Sequence, residues 1–143
     1  MNTLVLGSDH GGFKLKESIK SHLQSLNIPF IDTGTFSEDS IDYPDIVDTV
    51  VNHIQQKEAS QGILCCGTGI GVSIRANRTK GIRAAVVHSD FTAQMAKEHN
   101  NANIICIGAR TTSEKDAKGF IDTWLNTNFE GGRHSRRVEK LDS

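Results

Sequence analysis

Short β-rich runs alternate with amphipathic stretches along this chain of 143 residues, and that alternation limits the possible folds more than any other feature. The predicted strands cover residues 3–8, 28–31, 61–65, 82–87 and 103–107, and the predicted helices cover residues 13–26, 43–54, 70–77, 90–100 and 113–125. The run Ile104-Ile105-Cys106-Ile107 is apolar on both faces, which is typical of a parallel sheet covered by helices on both sides. The pattern therefore predicts one α/β domain with a doubly wound, Rossmann-like or flavodoxin-like sheet of five parallel strands.

The composition excludes several broad classes of protein. With 36% hydrophobic residues, 23% charged residues and a formal net charge of −1, the chain resembles neither a disordered protein nor a basic nucleic-acid binder. No stretch approaches the roughly 18 apolar residues of a membrane span, and the first residues lack the features of a signal peptide. Three cysteines without a disulfide framework or zinc-type spacing are typical of a reducing compartment. We therefore expect a cytoplasmic protein with no metal, other cofactor, nucleic-acid partner or membrane partner.

Polar residues follow four of the predicted strands at the point where each strand ends. Asp9 and His10 follow the first strand, the segment 66–71 follows the third, the segment 88–90 follows the fourth, and Arg110 follows the fifth. In sheets of this kind, ligands bind beyond the carboxyl ends of the strands, near the topological switch point. These residues are therefore the first candidates for a functional site.

The loop Cys66-Gly67-Thr68-Gly69-Ile70-Gly71 joins the third strand to a short helix. Its glycines leave the backbone bare, so several N–H groups can point at one anion, and the positive end of the helix dipole strengthens their field. The positive end of the helix would also stabilise Cys66 as a thiolate, which could act as a base or a nucleophile. The Thr68 hydroxyl can donate or accept a proton. The residues alone also fit a tight turn in which Cys66 is only a small buried apolar side chain. Cys65 and Cys106 lie inside apolar strands, and we interpret them as structural.

Two nucleotide-binding motifs do not fit this loop. A dinucleotide fingerprint needs Gly-x-Gly-x-x-Gly after the first strand, but the loop follows the third strand and carries Val72 at the third glycine position. A P-loop ends in Gly-Lys-Ser/Thr, whereas this loop ends in Gly71-Val72-Ser73. Binding of dinucleotides or nucleoside triphosphates is therefore disfavoured.

Three further groups of residues have both a functional and a structural interpretation. Asp9 and His10 can orient a sugar hydroxyl or bind phosphate, but Asp9 can equally be a helix N-cap beside a solvent-facing His10. The segment His99-Asn100 closes the fourth helix and can be simply a polar helix end. Arg133 and Arg137 lie four residues apart, so on a helix begun after Gly131-Gly132 they share one face and can clamp a phosphate, or form a solvated charged face.

A set of motifs, in order along nearly the whole chain, carries a family resemblance. The segments are Gly7-Ser8-Asp9-His10-Gly11-Gly12-Phe13-Lys14-Leu15-Lys16, Asp42-Tyr43-Pro44, Cys66-Gly67-Thr68-Gly69-Ile70-Gly71, Asn77, Gly81-Ile82-Arg83-Ala84, Glu98-His99-Asn100, Gly108-Ala109-Arg110 and Glu130-Gly131-Gly132-Arg133-His134. They resemble the B-type ribose 5-phosphate isomerases and the related galactose 6-phosphate isomerase of the lactose pathway. As an ordered set they are far more specific than any one of them alone.

The resemblance implies a metal-free aldose–ketose isomerase that works through a cis-enediolate in the pentose phosphate pathway. It implies Cys66 as the base that moves the proton between carbons, with Thr68 assisting proton transfer between the two oxygens. It implies Asp9 and His99 in opening the sugar ring. The implied substrate contacts are the backbone of Gly67, Gly69, Ile70 and Gly71, the phosphate ligands His10, Arg110, Arg133 and Arg137, and the sugar ligands Tyr43 and Asn100.

The resemblance also implies a homodimer, possibly a homotetramer, whose active site is built from both chains, with the basic tail 129–143 reaching the interface. Ribose 5-phosphate and ribulose 5-phosphate are the expected substrates. Six-carbon phosphates such as allose or galactose 6-phosphate remain alternatives, because one more carbon changes the binding free energy by only about 1–3 kcal/mol. A non-catalytic phosphosugar-binding module also remains open. A flavodoxin-like electron carrier is disfavoured, because only 6% of the residues are aromatic and few could stack on a flavin.

Overall fold

Five parallel strands form one sheet in the computed structural model, which describes residues 2–143. The strands are β1 (Leu4–Ser8), β2 (Phe30–Asp32), β3 (Gln61–Cys66), β4 (Ala84–Val86) and β5 (Ile104–Gly108), in the spatial order β2-β1-β3-β5-β4. The helices are α1 (Phe13–Ser25), α2 (Tyr43–Gln55), α3 (Ile70–Ala76), α4 (Asp90–Glu98), α5 (Glu114–Leu125) and α6 (Arg133–Leu141). The predicted fold class is confirmed, and α6 begins directly after Gly131-Gly132.

The helices cover both faces of the sheet and enclose two apolar layers. One layer contains Leu4 and Leu6 of β1 together with side chains from α1, α4 and α5, among them the fully buried Trp124. The other contains Val5 of β1 with side chains from α2 and α3. Alternate residues of β1 thus point to opposite layers, as the period of a strand requires. This arrangement is why the strands read as continuous apolar runs in the sequence.

The two edge strands are shorter than the sequence pattern predicts. Ile28 donates its N–H to the carbonyl of Leu23, so it closes the end of α1 and does not enter the sheet. Ile82 donates to the carbonyl of Thr79 in a turn, and β4 begins only at Ala84. An apolar pattern records burial but not backbone pairing, so it cannot separate a packed turn from a short edge strand.

The outer side of β4 is closed by a side chain. The Asn77 carboxamide accepts from the N–H of Ala84 and donates to its carbonyl, both at 2.8 Å. These are the two backbone groups that Ala84 would offer to another strand. Asn77 therefore ends the sheet on this side.

A buried ion pair holds the loop between β2 and α2. Lys16 is 1% exposed and donates to Asp32 at 2.7 and 2.9 Å, and Lys20 contacts the same carboxylate at 2.8 Å. Asp32 also accepts from the N–H of Gly34, at the start of the loop. Burial raises the pKa of Asp32, but the hydrogen bonds from both lysines outweigh it and hold the pKa below its ordinary value. The negative charge of Asp32 is therefore part of the folded structure.

The direction of the helices divides the molecule into two ends. Because each crossover helix runs antiparallel to the strands, α3 and α4 begin at the carboxyl end of the sheet and finish at the amino end. β5 has five residues, so the two ends are about 15 Å apart. No helix within residues 2–143 is long and apolar enough to span a membrane.

Candidate active site

The glycine loop lies at the carboxyl end of the sheet, and two of its backbone N–H groups donate to side chains of the loop itself. The N–H of Gly69 donates to Cys66 Sγ at 3.1 Å, and the N–H of Ile70 donates to Thr68 Oγ1 at 3.2 Å. Within residues 2–143, no acceptor meets the N–H groups of Gly67, Thr68 and Gly71. The loop thus offers three free donors to an anion, whereas the resemblance had implied contacts from the backbone of Gly67, Gly69, Ile70 and Gly71.

Two of the glycines are required by close packing. Gly69 has a φ of +79°, and a Cβ there would come within 3.2 Å of the β5 backbone at Cys106. A Cβ on Gly71 would come within 2.6 Å of the Tyr43 ring, so the ring lies directly on the loop. Tyr43 is 37% exposed and presents its hydroxyl beside the free N–H groups. The structure therefore brings the predicted sugar contact Tyr43 to the glycine loop.

Cys66 differs from its neighbours in hydrogen bonding and environment. All three cysteines are free and buried, but Cys66 ends β3, and its sulfur accepts the backbone N–H of the loop. Burial raises the pKa of Cys65 to about 12, and burial also raises the pKa of Cys106 well above its ordinary value. Cys65 and Cys106 therefore stay as thiols inside their strands, as expected, and Cys66 is the sulfur that lies at the site.

Asp9 and His10 lie beside this loop because β1 and β3 are neighbours. The Asp9 carboxylate is nearly buried and caps the 3₁₀ turn His10–Gly12 by accepting from the Gly12 N–H at 3.1 Å. The expected structural role of Asp9 as an N-cap is thus present. His10 Nδ1 accepts the N–H of Ile41 at 3.2 Å, which leaves the proton of a neutral ring on Nε2. His10 is half-buried and therefore holds a donor in a fixed orientation.

Arg110 supplies the positive charge at the same end. Its N–H donates to the carbonyl of Gly67, and a Cβ on Gly67 would lie 3.4 Å from the guanidinium, so Arg110 spans the loop. No carboxylate in the described chain pairs with Arg110, which is exposed. A groove of about 210 Å³ borders Arg110 on the side of Lys14. This arrangement offers an uncompensated cation beside three free N–H groups, which suits a phosphate or an oxyanion.

His99 and Asn100 lie at the other end of the sheet. His99 follows the last residue of α4, and four residues later Asn103 accepts from Gly62 at the start of β3. His99 is therefore separated from Cys66 of the same chain by about the length of a strand, 15 Å. A cavity of about 320 Å³ at this end is bordered by Asn100 and by Leu141 of α6.

The helix α6 also packs at the amino end. His134 and Val138 are buried, the His134 ring stacks on His99 with centroids 4.1 Å apart, and Arg83 pairs with Asp142 at 2.9 Å. Arg133 and Arg137 remain exposed, and none of the described carboxylates pairs with them. The helix therefore presents the two arginines together with His99 and Asn100.

The predicted site residues thus form two sets on opposite ends of one chain. The carboxyl-end set is Asp9, His10, Tyr43, Cys66, Gly67, Thr68, Gly69, Ile70, Gly71 and Arg110; the amino-end set is His99, Asn100, Arg133 and Arg137. Glu130 and His134 join the second set, although no spacing in the sequence relates them to His99. The sheet itself keeps the two sets apart.

Comparison with known proteins identifies relatives of the whole chain. The sequence model of the Ribose/Galactose Isomerase family matches residues 4–141. A ribose-5-phosphate isomerase B of Escherichia coli is 41% identical over 141 residues, covering 99% of this chain and 95% of the relative. A sugar phosphate isomerase of Rickettsia bellii, named as putative, is 48% identical over 139 residues, covering 97% and 96%.

Solved structures agree with these sequence relatives. A ribose 5-phosphate isomerase from Thermotoga maritima superposes with a TM-score of 0.97 at 47% identity, covering 99% of this chain and 97% of that one. A ribose-5-phosphate isomerase B from Mycoplasma genitalium, solved with bound ribulose-5-phosphate, gives 0.92 at 38% identity, covering 97% and 93%. Both fold and sequence are thus similar over essentially the full chain.

Proposed function

Because the chain belongs to the ribose/galactose isomerase family, we propose that it is an isomerase that interconverts ribose 5-phosphate and ribulose 5-phosphate, with Cys66 as the base. One relative is named ribose-5-phosphate isomerase B, another of that name was solved with bound ribulose-5-phosphate, and this chain covers 95% and 93% of them. The observation that carries the role of Cys66 is its sulfur at the end of β3, 3.1 Å from a loop N–H and beside three unused N–H groups. A base and an oxyanion site next to each other are what an enediolate reaction needs.

The base moves one proton between two adjacent carbons. In the open-chain aldose, the Cys66 thiolate takes the proton from C2, and the electron pair of that C–H bond forms the C1–C2 double bond as charge moves to the C1 oxygen. The same thiol then returns the proton to C1, giving the ketose. Thr68, whose hydroxyl accepts the Ile70 N–H, is exposed at the site and can pass a proton between the O1 and O2 oxygens.

The free N–H groups of Gly67, Thr68 and Gly71 stabilise the enediolate oxygen. A preorganised backbone donor of this kind is worth about 3 kcal/mol of activation free energy. Tyr43 on the loop and Asn100 contact the sugar hydroxyls. His10, whose Nδ1 is occupied by the Ile41 N–H, uses its Nε2 with Arg110, Arg133 and Arg137 to bind the phosphate. Asp9 and His99 open the ring by exchanging protons with the ring oxygen and the anomeric hydroxyl.

This assignment requires two chains for one site. His99, Asn100, Arg133 and Arg137 lie at the amino end, about 15 Å from Cys66 of their own chain, so a second copy must bring them to it. We therefore propose a homodimer, with the tail 129–143 at the interface and two shared sites related by a twofold axis; two such dimers can pair further into a tetramer. The cysteines kept as thiols support a cytoplasmic location, and the substrates place the reaction in the pentose phosphate pathway.

The function is tested by a coupled isomerisation assay across five- and six-carbon sugar phosphates. We expect the highest kcat/KM for ribose 5-phosphate, with allose and galactose 6-phosphates lower by at least tenfold. Deuterium at C2 of ribose 5-phosphate should exchange with solvent or appear at C1 of ribulose 5-phosphate. Turnover of a six-carbon phosphate above that of ribose 5-phosphate would replace the substrate. Binding without any exchange of the deuterium would show a non-catalytic module.

A further inference from the structure

Three side chains that bind metal ions in many proteins meet at the amino end of the sheet. His99, Glu130 and His134 each offer one ligand atom, and these atoms lie within 4.8 Å of one another. They form the one cluster of three such groups within residues 2–143. Because His99 is more than 30 positions from the other two, the sequence spacing gives no sign of the cluster.

A buried nitrogen without a hydrogen bond points into this cluster. His134 is 5% exposed, and within the described chain its Nε2 has no hydrogen-bond partner. Glu130 Oε1 lies 3.7 Å from this nitrogen, which is beyond hydrogen-bond distance. Buried polar atoms are almost always paired, so this nitrogen, 3.7 Å from a carboxylate and on a ring stacked against a second imidazole, is a candidate metal ligand.

We propose that His99, Glu130 and His134 form a Zn²⁺ site, and that zinc bound there inhibits the isomerase by occupying the nitrogen of His99. Two imidazoles and one carboxylate are a common zinc ligand set, which leaves a fourth position for water. The inhibition rests on the proposed function of His99, but the binding of zinc does not. No catalytic step passes through the metal.

The three groups can reach zinc geometry by small movements. Bonds of 2.0–2.2 Å to a tetrahedral ion place ligand atoms about 3.3 Å apart, so separations within 4.8 Å close by roughly 1 Å per ligand. His134 is fixed by burial, whereas the Glu130 side chain is 51% exposed and no hydrogen bond within the described chain holds the His99 ring. The His99 ring must turn out of its parallel stack on His134, since two stacked rings cannot aim at one ion. That turn is the principal rearrangement that the site requires.

The surrounding charges moderate the affinity. Arg133 and Arg137 lie on the same helix as His134. The same arginines repel a cation, so we expect micromolar rather than picomolar binding. Such a site would respond to free zinc without holding it permanently.

Zinc should inhibit the two directions of the reaction to different extents, because only one of the two sugars forms a ring. Ribose 5-phosphate closes into a furanose through its C4 hydroxyl, whereas ribulose 5-phosphate, whose C5 oxygen carries the phosphate, cannot close such a ring. If His99 opens the ring, zinc on His99 slows turnover that starts from ribose 5-phosphate. Turnover that starts from the open-chain ketose should be affected several-fold less.

The test first measures binding on the full-length, metal-free protein. Calorimetry with Zn²⁺ and visible absorption with Co²⁺ should show one ion per chain, with affinity at least tenfold lower in Glu130→Gln and His134→Gln. The matched control is His53→Gln, because His53 Nδ1 is also buried, unpartnered and 3.6 Å from a carboxylate, that of Glu58, but has no third ligand. Cys66→Ala should keep the site. If H134Q fails to fold, the zinc affinity of E130Q tests the site alone, because Glu130 is half-exposed and its substitution should not affect folding.

Activity then separates the two parts of the proposal. Zinc should inhibit turnover of ribose 5-phosphate at least tenfold less effectively in E130Q than in the parent, and ribulose 5-phosphate should show the smaller effect. Zinc affinity that is unchanged in both E130Q and H134Q but lost in C66A would place the ion on the thiol and overturn the site. Zinc binding to a chain with no isomerase activity would leave the site intact and reject the function.

Discussion

The two ends of the sheet are built in different ways, although both carry residues of the proposed active site. At the carboxyl end, Cys66 ends a strand and Asp9 and Arg110 lie within two residues of a strand end, so the strand backbone fixes their positions. At the amino end, His99 follows a helix, and the separate helix α6 lies against it. The first end carries the Cys66 sulfur and the free N–H donors, and the second carries imidazole, amide and guanidinium groups. Each chain therefore holds two unequal halves of the proposed site, which lie too far apart to meet within one molecule.

The largest predicted effect is the fall in kcat when the proposed base at the carboxyl end is removed. Cys66→Ala should lower kcat by about 10²–10⁴-fold, the contribution of a positioned general base, while circular dichroism and Tm stay close to those of the parent. Steady-state assays with ribose 5-phosphate measure it. Cys65→Ala is the matched control and should keep kcat, because that thiol is fully buried with a pKa of about 12. An equal loss from both variants would remove Cys66 from the mechanism.

Mixing variants of opposite ends tests whether the halves come from two chains. Cys66→Ala and Arg137→Ala, each nearly inactive, should recover about a quarter of the parental activity after refolding together. Random pairing makes half of the dimers hybrid, and each hybrid has one intact site of two. The gain is of the order of a hundredfold.

The control for that experiment mixes two variants of the same end. Cys66→Ala with Asp9→Asn leaves no intact site in any pairing, so it should recover nothing. Recovery in the control, or none in the first mixture despite hybrid dimers seen by native mass spectrometry, would contradict a shared site.

A smaller effect should separate the ion pairs that stabilise the two ends. Asp32→Asn leaves Lys16, 1% exposed, with only the half-exposed Glu17 carboxylate at 3.2 Å and should cost about 3 kcal/mol of unfolding free energy. Asp142→Asn breaks the more exposed pair with Arg83 and should cost about 1 kcal/mol. Urea unfolding at pH 7 measures both. Equal values would mean that burial does not distinguish the two ends.

The same variant predicts a pH dependence with a definite sign. The pKa of Asp32 is lower in the folded chain than its ordinary value of 3.8, so its charge stabilises the fold above that value. This contribution is lost as the pH falls through the depressed folded pKa. The difference in unfolding free energy between the parent and Asp32→Asn should therefore shrink below about pH 4. A difference that stays constant down to pH 2 would show that the charge of Asp32 is not responsible.

The sequence predicts the carboxyl end better than the amino end, for a physical reason. The glycine loop, Cys66 and Thr68 are contiguous, so strand periodicity and turn chemistry place them together without knowledge of the fold. The set around His99 depends on the direction of α4 and on where α6 packs, and these follow from tertiary contacts. The stacking of His99 on His134 joins residues 35 positions apart in the sequence. The use of the Gly69 and Ile70 N–H groups by side chains of the same loop likewise appears only with coordinates.

The Asn77 side chain on β4 has a consequence for how copies of this protein can associate. Since its carboxamide already occupies the outward N–H and carbonyl of Ala84, a neighbouring chain cannot prolong the sheet there and start a fibril. Replacing Asn77 with Ala would leave these two backbone groups of Ala84 free at the edge of the sheet. Asn77 therefore disfavours aggregation through this edge, and it leaves the helices and loops as the surfaces through which copies can associate.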